Sequence, residues 1–184
     1  MPEPDHDHHD HDHTLITDRL PEGFWAVDPD GSEVLFKART IFGLLPVNGV
    51  FERFNGEMHV HPDGAAHGTL VVDATSIRTG IGRRDEHLIS DDFLAAIEHP
   101  QITFTLESFE PSGEDHLNVT GELQIRDTTI PLSFTAYAIA HGDHLHLESR
   151  ANIDQDAAGL GWTRPGFVGK SVRAEVARTL SRAG

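Results

Sequence analysis

Fourteen histidines and thirty carboxylates stand in a chain of 184 residues that contains no cysteine. Metal coordination and acid–base work must therefore rest on imidazole and carboxylate, because disulfides, thiolate nucleophiles, cysteine-ligated zinc and iron–sulfur clusters are excluded. Three groupings have the residue types for such chemistry. The first is the N-terminal tail, where His6, His8, His9, His11 and His13 alternate with Glu3, Asp5, Asp7, Asp10 and Asp12. Five imidazoles this close together chelate Ni²⁺, Zn²⁺ or Cu²⁺ locally, whatever the fold does. The second is a pair of H-x-H motifs, His59/His61 and His144/His146, each placing two imidazoles on one side of a strand at the spacing of a metal clip. The third is the polar run from Ser76 to Phe93, in which Arg84, Asp85 and His87 fall within one helical turn.

Each grouping also has a plainer structural account. Phe54, Met58 and Val60 share one strand face, which leaves Glu57, His59 and His61 on the other; Leu145 and Leu147 likewise oppose His144, His146 and Glu148. Both pairs thus point away from the apolar side, and a solvated polar face accounts for them. Arg84, Asp85 and His87 read as a hydrogen-bonded plug over one end of the fold, with acid–base work by Asp85 and His87 as the sharper alternative. No nucleophile accompanies that pair. The Gly80-Ile81-Gly82 segment is not a dinucleotide loop, since Asp85 stands where a third glycine belongs and no βαβ pattern flanks it. No nucleophile elbow, zinc-protease helix or phosphate-binding P-loop occurs. The sequon Asn118-Val119-Thr120 lies inside a strand and carries no meaning without a secretory leader.

The elements that must position these residues are mostly strands. Apolar residues alternate at period two over Glu33–Thr40, Val47–Val60 with a break at Glu52–Arg53, Gly68–Asp73, Ile102–Phe109, Leu117–Ile125, Thr129–Ala140, Leu145–Ile153 and Ser171–Arg178. Pro29-Asp30-Gly31, Pro62-Asp63-Gly64, Pro111-Ser112-Gly113 and His141-Gly142-Asp143 mark hairpin turns, which favours an antiparallel meander over βαβ crossovers. Over residues 83–98 the spacing becomes helical, with Phe93, Leu94 and Ile97 on one face, Ser90 or Asp91 as cap and His99-Pro100 as stop. An all-β domain of about eight antiparallel strands with one short helical excursion has two solutions, a sandwich or a closed barrel, and closure removes the exposed edges. Residues 1–23 read as a disordered His/Asp-rich tail and run-in, with Leu15, Ile16 and Leu20 as first anchors, and residues 24–184 as a single barrel domain.

Composition narrows the partners. Fourteen Lys plus Arg against thirty Asp plus Glu give a formal charge of −16, which disfavours nucleic acid and anionic lipid surfaces. No stretch is long and apolar enough to span a bilayer, and the N-terminus lacks the basic and apolar regions of a secretory signal, so a cytoplasmic location is expected.

The order Trp25-x-Val27-Asp28, Ser32-x-Val34-x-Phe36, Val47-x-Gly49-x-Phe51, Phe54-x-Gly56, Ser76-Ile77-x-Thr79, Arg84-Asp85-x-His87-Leu88, Ser90-x-Asp92-Phe93, Pro100-x-Ile102-x-Phe104 and Gly121-x-Leu123 resembles the YceI-like polyisoprenoid-binding family. The resemblance runs from about Phe24 to Ala177. It implies a lipocalin-like antiparallel β-barrel whose long apolar lumen holds an isoprenoid lipid, such as a polyprenyl quinone, alcohol or phosphate, with no enzymatic activity and no required cofactor. It is compatible with a homodimer. At Asp154–Gly159 the chain departs from the family's Asp-Arg-x-x-Phe-Gly, with Gln155 and Ala158 replacing the basic and aromatic residues.

For the lumen wall, the apolar faces nominate Val34, Phe36, Phe42, Leu70, Val72, Ile77, Phe93, Ile102, Phe104, Leu132 and Phe134; Arg78, Arg84, His87 and Asn48 are nominated for a headgroup at the mouth. Each prenyl unit offers on the order of 3–4 kcal/mol of gross transfer free energy, so a few units suffice for micromolar binding without a hydrogen bond. The alternative function is divalent-metal handling by His6, His8, His9, His11 and His13, with an H-x-H pair completing the site.

Overall fold

The computed structural model describes residues 14–15, 20–30, 32–40, 45–91, 93–112, 115–141, 143–154 and 171–183. Within them the strands are β1 (Thr14–Leu15), β2 (Gly23–Val27), β3 (Glu33–Thr40), β4 (Leu45–Phe51), β5 (Phe54–Val60), β6 (Ala66–Asp73), β7 (Ile77–Arg78), β8 (Gln101–Pro111), β9 (His116–Ile125), β10 (Thr128–His141), β11 (His144–Asp154) and β12 (Ser171–Ala183), with one helix, α1 (Gly82–Ile89). Every pairing is antiparallel. Among the described residues no helix is long and apolar enough to cross a membrane.

The strand pairings close into a ring. Strands β8, β9, β10, β11 and β12 pair in sequence order, and β12 then pairs with both β2 and β3, along successive parts of its length. β2 continues to β5 and β3 to β4, while β5 pairs with β6 and β4 with β7. Each of the couples β2/β3, β4/β5 and β6/β7 therefore acts as one bent stave, and β6 pairs with β8 to complete the circuit. The wall has eight staves, so the lipocalin-like barrel expected from the sequence is observed. The break anticipated at Glu52–Arg53 is the bend between β4 and β5.

That bend is tied to the one between β6 and β7. Asp73 accepts hydrogen bonds from the Thr75 backbone N–H at 2.9 Å and the Thr75 hydroxyl at 2.6 Å, which caps the 3-10 turn Ala74–Ser76. Its other carboxylate oxygen takes a 2.9 Å bond from Arg53 Nε. The buried Ser76 hydroxyl donates to the Asp73 carbonyl at 2.6 Å and accepts from the Arg53 N–H at 3.1 Å.

Two apolar clusters fill the two ends of the barrel. At one end Val72, Ile77, Leu123 and Ile125 pack with Leu88, Phe93, Leu94 and Ala96 from α1 and the segment after it. At the other Leu20, Trp25, Val60, Leu117, Ala138 and Leu145 pack together, and Trp25 Nε1 donates to the Pro21 carbonyl at 3.0 Å. The run-in thus contributes Leu20 to the core, while residues 1–13 lie outside the described residues.

The helical excursion lies where the spacing puts it, but only its first half is helix. Ser90 is not an N-cap. It terminates α1 in an extended conformation, and its hydroxyl donates to the His87 carbonyl at 2.6 Å. The chain then folds into turns with Ala95 at φ 46°, in which the Leu94 N–H reaches the Leu88 carbonyl and the Ala96 N–H reaches the Ile89 carbonyl. These turns bury Phe93 through Ala96 and leave Ile97 79% exposed, whereas a helix would have put Ile97 beside Phe93 and Leu94.

Burial alone would raise the Asp73 pKa, but the hydrogen bonds from Thr75 and Arg53 and the Arg53 charge outweigh it and hold the group below the usual carboxylate range. Its contribution to stability is therefore present above about pH 4 and lost as pH falls through the lowered value. Asp73→Asn should unfold more easily than the parent at pH 7, by under about 1 kcal/mol given the partial exposure of the pair. In denaturant titrations from pH 7 to 3, the gap should narrow below pH 4.

Candidate functional site

The inward faces of the staves decide whether the barrel is full or hollow. On β10 the odd-numbered Thr129, Pro131, Ser133 and Thr135 face out, and Ile130, Leu132, Phe134, Ala136, Ala138 and Ala140 face in. The three alanines are buried, yet Ile130, Leu132 and Phe134 are only partly buried although the barrel surrounds them. Ile102 and Phe104 on β8 show the same combination. Inward-facing apolar side chains that keep some exposure border unfilled space.

The ladder register places two glycines beside one inward leucine. Leu106 pairs with Gly68 on β6 and with Gly121 on β9, so it is the only side chain that these three adjacent positions send inward. One rung away, Gly56 pairs with Leu70. At this level the lumen contains a cavity of about 80 Å³, lined among others by Met58, Leu70, Phe104, Leu106, Phe134 and Ala136. Gly121 is fixed by close approach: a Cβ there would lie 2.2 Å from the Thr105 carbonyl oxygen and 2.6 Å from Phe104 Cζ. Phe104 bridges the two end clusters and meets Phe134 with ring centroids 5.5 Å apart.

A bulge completes the lining. The register of β8 against β9 shifts between Leu106 and Ser108, so that Phe109 pairs with the inward-facing Val119. Without the extra residue Phe109 would point outward, in step with Thr103 and Thr105. It lines the cavity instead.

The nominated wall residues fall as follows. Val34, Leu70, Val72, Ile77 and Phe93 are buried in the α1-end cluster, with Ile102, Phe104 and Leu132 packed against it and Phe134 against the opposite cluster. The Phe36 side chain and Phe42 lie outside the described residues, as do the tail histidines and Gln155 and Ala158. Of these residues, Leu70, Phe104 and Phe134 border the cavity itself. The sequence reading missed Met58, Leu106, Phe109, Val119, Ala136 and Leu147. Period-two alternation marks Leu106, Ala136 and Leu147 as facing the same side as their nominated or apolar neighbours, but the bulge hides Phe109.

The nominated headgroup residues do not converge on the cavity. Arg84 Nε donates to the Thr79 hydroxyl at 2.9 Å and Arg84 Nη2 to the Thr79 carbonyl at 2.8 Å. Asp85 Oδ1 accepts from the Thr79 N–H at 2.9 Å and from its hydroxyl. The pair clamps α1 to the loop after β7, which is the structural plug. Arg78 lies exposed, with Nη1 on the Ile77 carbonyl at 2.8 Å and Nε 3.8 Å from Glu52. His87 is half-buried on α1, and Asn48 is exposed on β4.

Of the H-x-H pairs, His146 Nε2 lies 3.0 Å from Glu148 Oε1 and His144 is exposed. His59 and His61 face outward as expected, and the β5–β6 hairpin brings His67 against them. His59 is held below the ordinary imidazole value by burial first and then by the neighbouring His61 and His67, opposed by Glu22.

The fold is shared with known proteins. The model for the YceI-like domain matches residues 25–180. The chain belongs to the YceI-like family. This YceI-like chain is 31% identical to "Protein YceI" of Escherichia coli O157:H7 over 135 residues, 72% of this chain and 70% of that one. It is 30% identical to an uncharacterised-family protein of Shewanella baltica over 122 residues, 64% of this chain and 63% of that one. Among solved structures it is similar to BcnA of Burkholderia cenocepacia, with a TM-score of 0.75, 22% identity and coverage of 83% of this chain and 98% of that one. It is also similar to a polyisoprenoid binding domain from Saccharophagus degradans, with a TM-score of 0.68, 12% identity and coverage of 86% and 98%.

If Asp85 acts as a clamp in this YceI-like barrel, Asp85→Asn and Thr79→Val should each destabilise the chain by about 1–2 kcal/mol. The double variant should lose clearly less than the sum, because both remove the same contact. Chemical denaturation of the four proteins measures that coupling.

Proposed function

We propose that this YceI-like chain is a non-enzymatic carrier or store for a polyisoprenoid lipid, a polyprenyl quinone, alcohol or phosphate, whose chain lies in the barrel lumen. The observation that carries this reading is the apolar cavity at the level of Gly68 and Leu106, bordered by Leu70, Phe104, Phe134 and Ala136. Its lining is apolar apart from Glu57, Thr69 and Ser149, so it suits a hydrocarbon chain better than a polar substrate. The polyisoprenoid binding described for the Saccharophagus relative supports the same ligand class.

The cavity of about 80 Å³ is smaller than a prenyl chain, so binding requires the lumen to open further. Phe104 and Phe134 are the groups that can yield. Both are only partly buried and border the cavity, and Phe104 packs against both end clusters, so turning it aside widens the cavity between them. Burial of methylenes at about 0.8 kcal/mol each supplies the driving force. The non-enzymatic part of this reading is supported by the structural use of Asp85 and Arg84, whose Oδ1, Nε and Nη2 atoms bond to Thr79.

The test is native mass spectrometry of the full chain purified from its own host without detergent, followed by extraction and identification of bound lipid. One lipid per chain, in a series spaced by isoprene units, is expected. A lipid-free chain that also fails to take up a prenyl alcohol would overturn the reading. Ala136→Leu, which fills the cavity, should weaken prenyl alcohol binding about tenfold or more, a loss near 1.4 kcal/mol, whereas Phe104→Ala should leave binding intact or tighter.

A further inference from the structure

Outside the lumen, three imidazoles meet on the outward face of the β5–β6 hairpin. We propose that His59, His61 and His67 form a binding site for a divalent transition-metal ion of the Zn²⁺ class, held by three imidazole nitrogens. This site is independent of the lumen, because alternate residues of β5 and β6 face opposite sides of the wall: Met58 and Val60 point in, His59 and His61 point out.

The hairpin builds the site from backbone geometry. His59 pairs directly with His67 across the ladder, and His61 sits two residues further along the same face. The turn between them is tight. The His61 N–H donates to the Ala65 carbonyl at 2.8 Å, the Gly64 N–H to the His61 carbonyl at 2.9 Å, and Asp63 Oδ1 accepts from the Ala65 N–H at 2.9 Å. Gly64 takes the left-handed φ of 90° that this turn requires. Imidazole placement therefore follows from a short hairpin and not from a long loop.

One ring nitrogen from each histidine lies within 4.8 Å of the other two. His61 Nε2 and His67 Nδ1 are 2.9 Å apart, a hydrogen bond in which one ring donates its proton and the other presents a lone pair. Two imidazolium rings could not make that contact. A tetrahedral ion with bonds of about 2.0–2.1 Å holds its nitrogens about 3.3–3.4 Å apart. The close pair must then separate by a few tenths of an ångström, and any wider pair must close by no more than about 1.5 Å. The metal would replace the shared proton as the bridge.

The surroundings favour an ion with one open position. The Phe24 ring stacks on His59 with centroids 4.0 Å apart and planes 14° from parallel, which limits the rotation of that ligand. A groove of about 340 Å³ runs beside the cluster, lined by Phe24, Met58, His59, His67 and Gly68, with Glu57 at its edge. It leaves space for water or a small anion as the fourth ligand. Three neutral nitrogen donors select Zn²⁺, Ni²⁺, Co²⁺ or Cu²⁺ over Mg²⁺ and Ca²⁺, which prefer oxygen.

The tail histidines also bind such ions, so the test uses the full-length chain with His6, His8, His9, His11 and His13 replaced by glutamine. Calorimetric titration with Zn²⁺ should show one ion per chain. His67→Ala and, separately, His61→Gln in this background should each weaken it about tenfold or more, with unchanged thermal melting in the absence of zinc, while His144→Ala should leave it unaltered. Crystals grown with Zn²⁺ should show an anomalous peak between the three rings. No zinc uptake below about millimolar concentration, or unchanged affinity after loss of His67, would overturn the proposal.

Discussion

Closure of the hydrogen-bonded ring is the constraint from which the other features follow. Once β12 pairs with β2 and β3 on one side and β11 on the other, each stave has two neighbours, and backbone groups along the wall need no outside partner. Alternation along a strand then becomes a division between lumen and solvent. Any residue can be assigned to one or the other by parity, until a bulge changes the parity. This is why the inward apolar surface and the outward histidines can occupy the same two strands without interfering.

Within that ring, side-chain size sets the shape of the interior. The two ends are filled by large groups, Trp25 and Leu117 at one and Phe93 and Ile77 at the other. The middle is thinned by glycine at Gly68 and Gly121, on both sides of Leu106. Phe104 lies across the gap that Gly121 leaves. Neither glycine could be enlarged without moving backbone, since a Cβ at Gly68 would lie 2.3 Å from the Glu57 carbonyl oxygen and one at Gly121 2.2 Å from that of Thr105. Glycine there lets the neighbouring strands and the Phe104 ring approach closely.

Much of the fold is legible in the sequence, because each long strand carries period-two alternation between turn signals. Glu33–Thr40 coincides with β3, and β9, β10 and β11 extend by one residue at each end or fewer. The shorter pieces are not legible. β2 has only five residues, and β1 and β7 have two each, too few for a period to declare itself. Residues Ser90–Glu98 have helical spacing yet form turns, because Ser90 ends the helix and Ala95 takes a left-handed conformation. The same limit applies to the sites. His59 and His61 are visible as an i, i+2 pair, but His67 joins them only through ladder register, a relation across a turn that one-dimensional spacing does not record. Arg84 and Asp85 are visible as a cluster, and their common partner Thr79 shows that they clamp the helix.

The bent staves give the wall a seam. The ladder between β2 and β5 ends at Ala26–Glu57, and the ladder between β3 and β4 begins at Val34–Phe51. Val27 lies over Gly56 at this interval and borders the cavity. Elsewhere, as along β9 to β11, a gap in the wall would require breaking a continuous run of backbone hydrogen bonds. Here a few side chains close it. The bends of the staves thus leave this interval to side-chain packing, Val27 against Gly56, directly beside the cavity that Val27 borders.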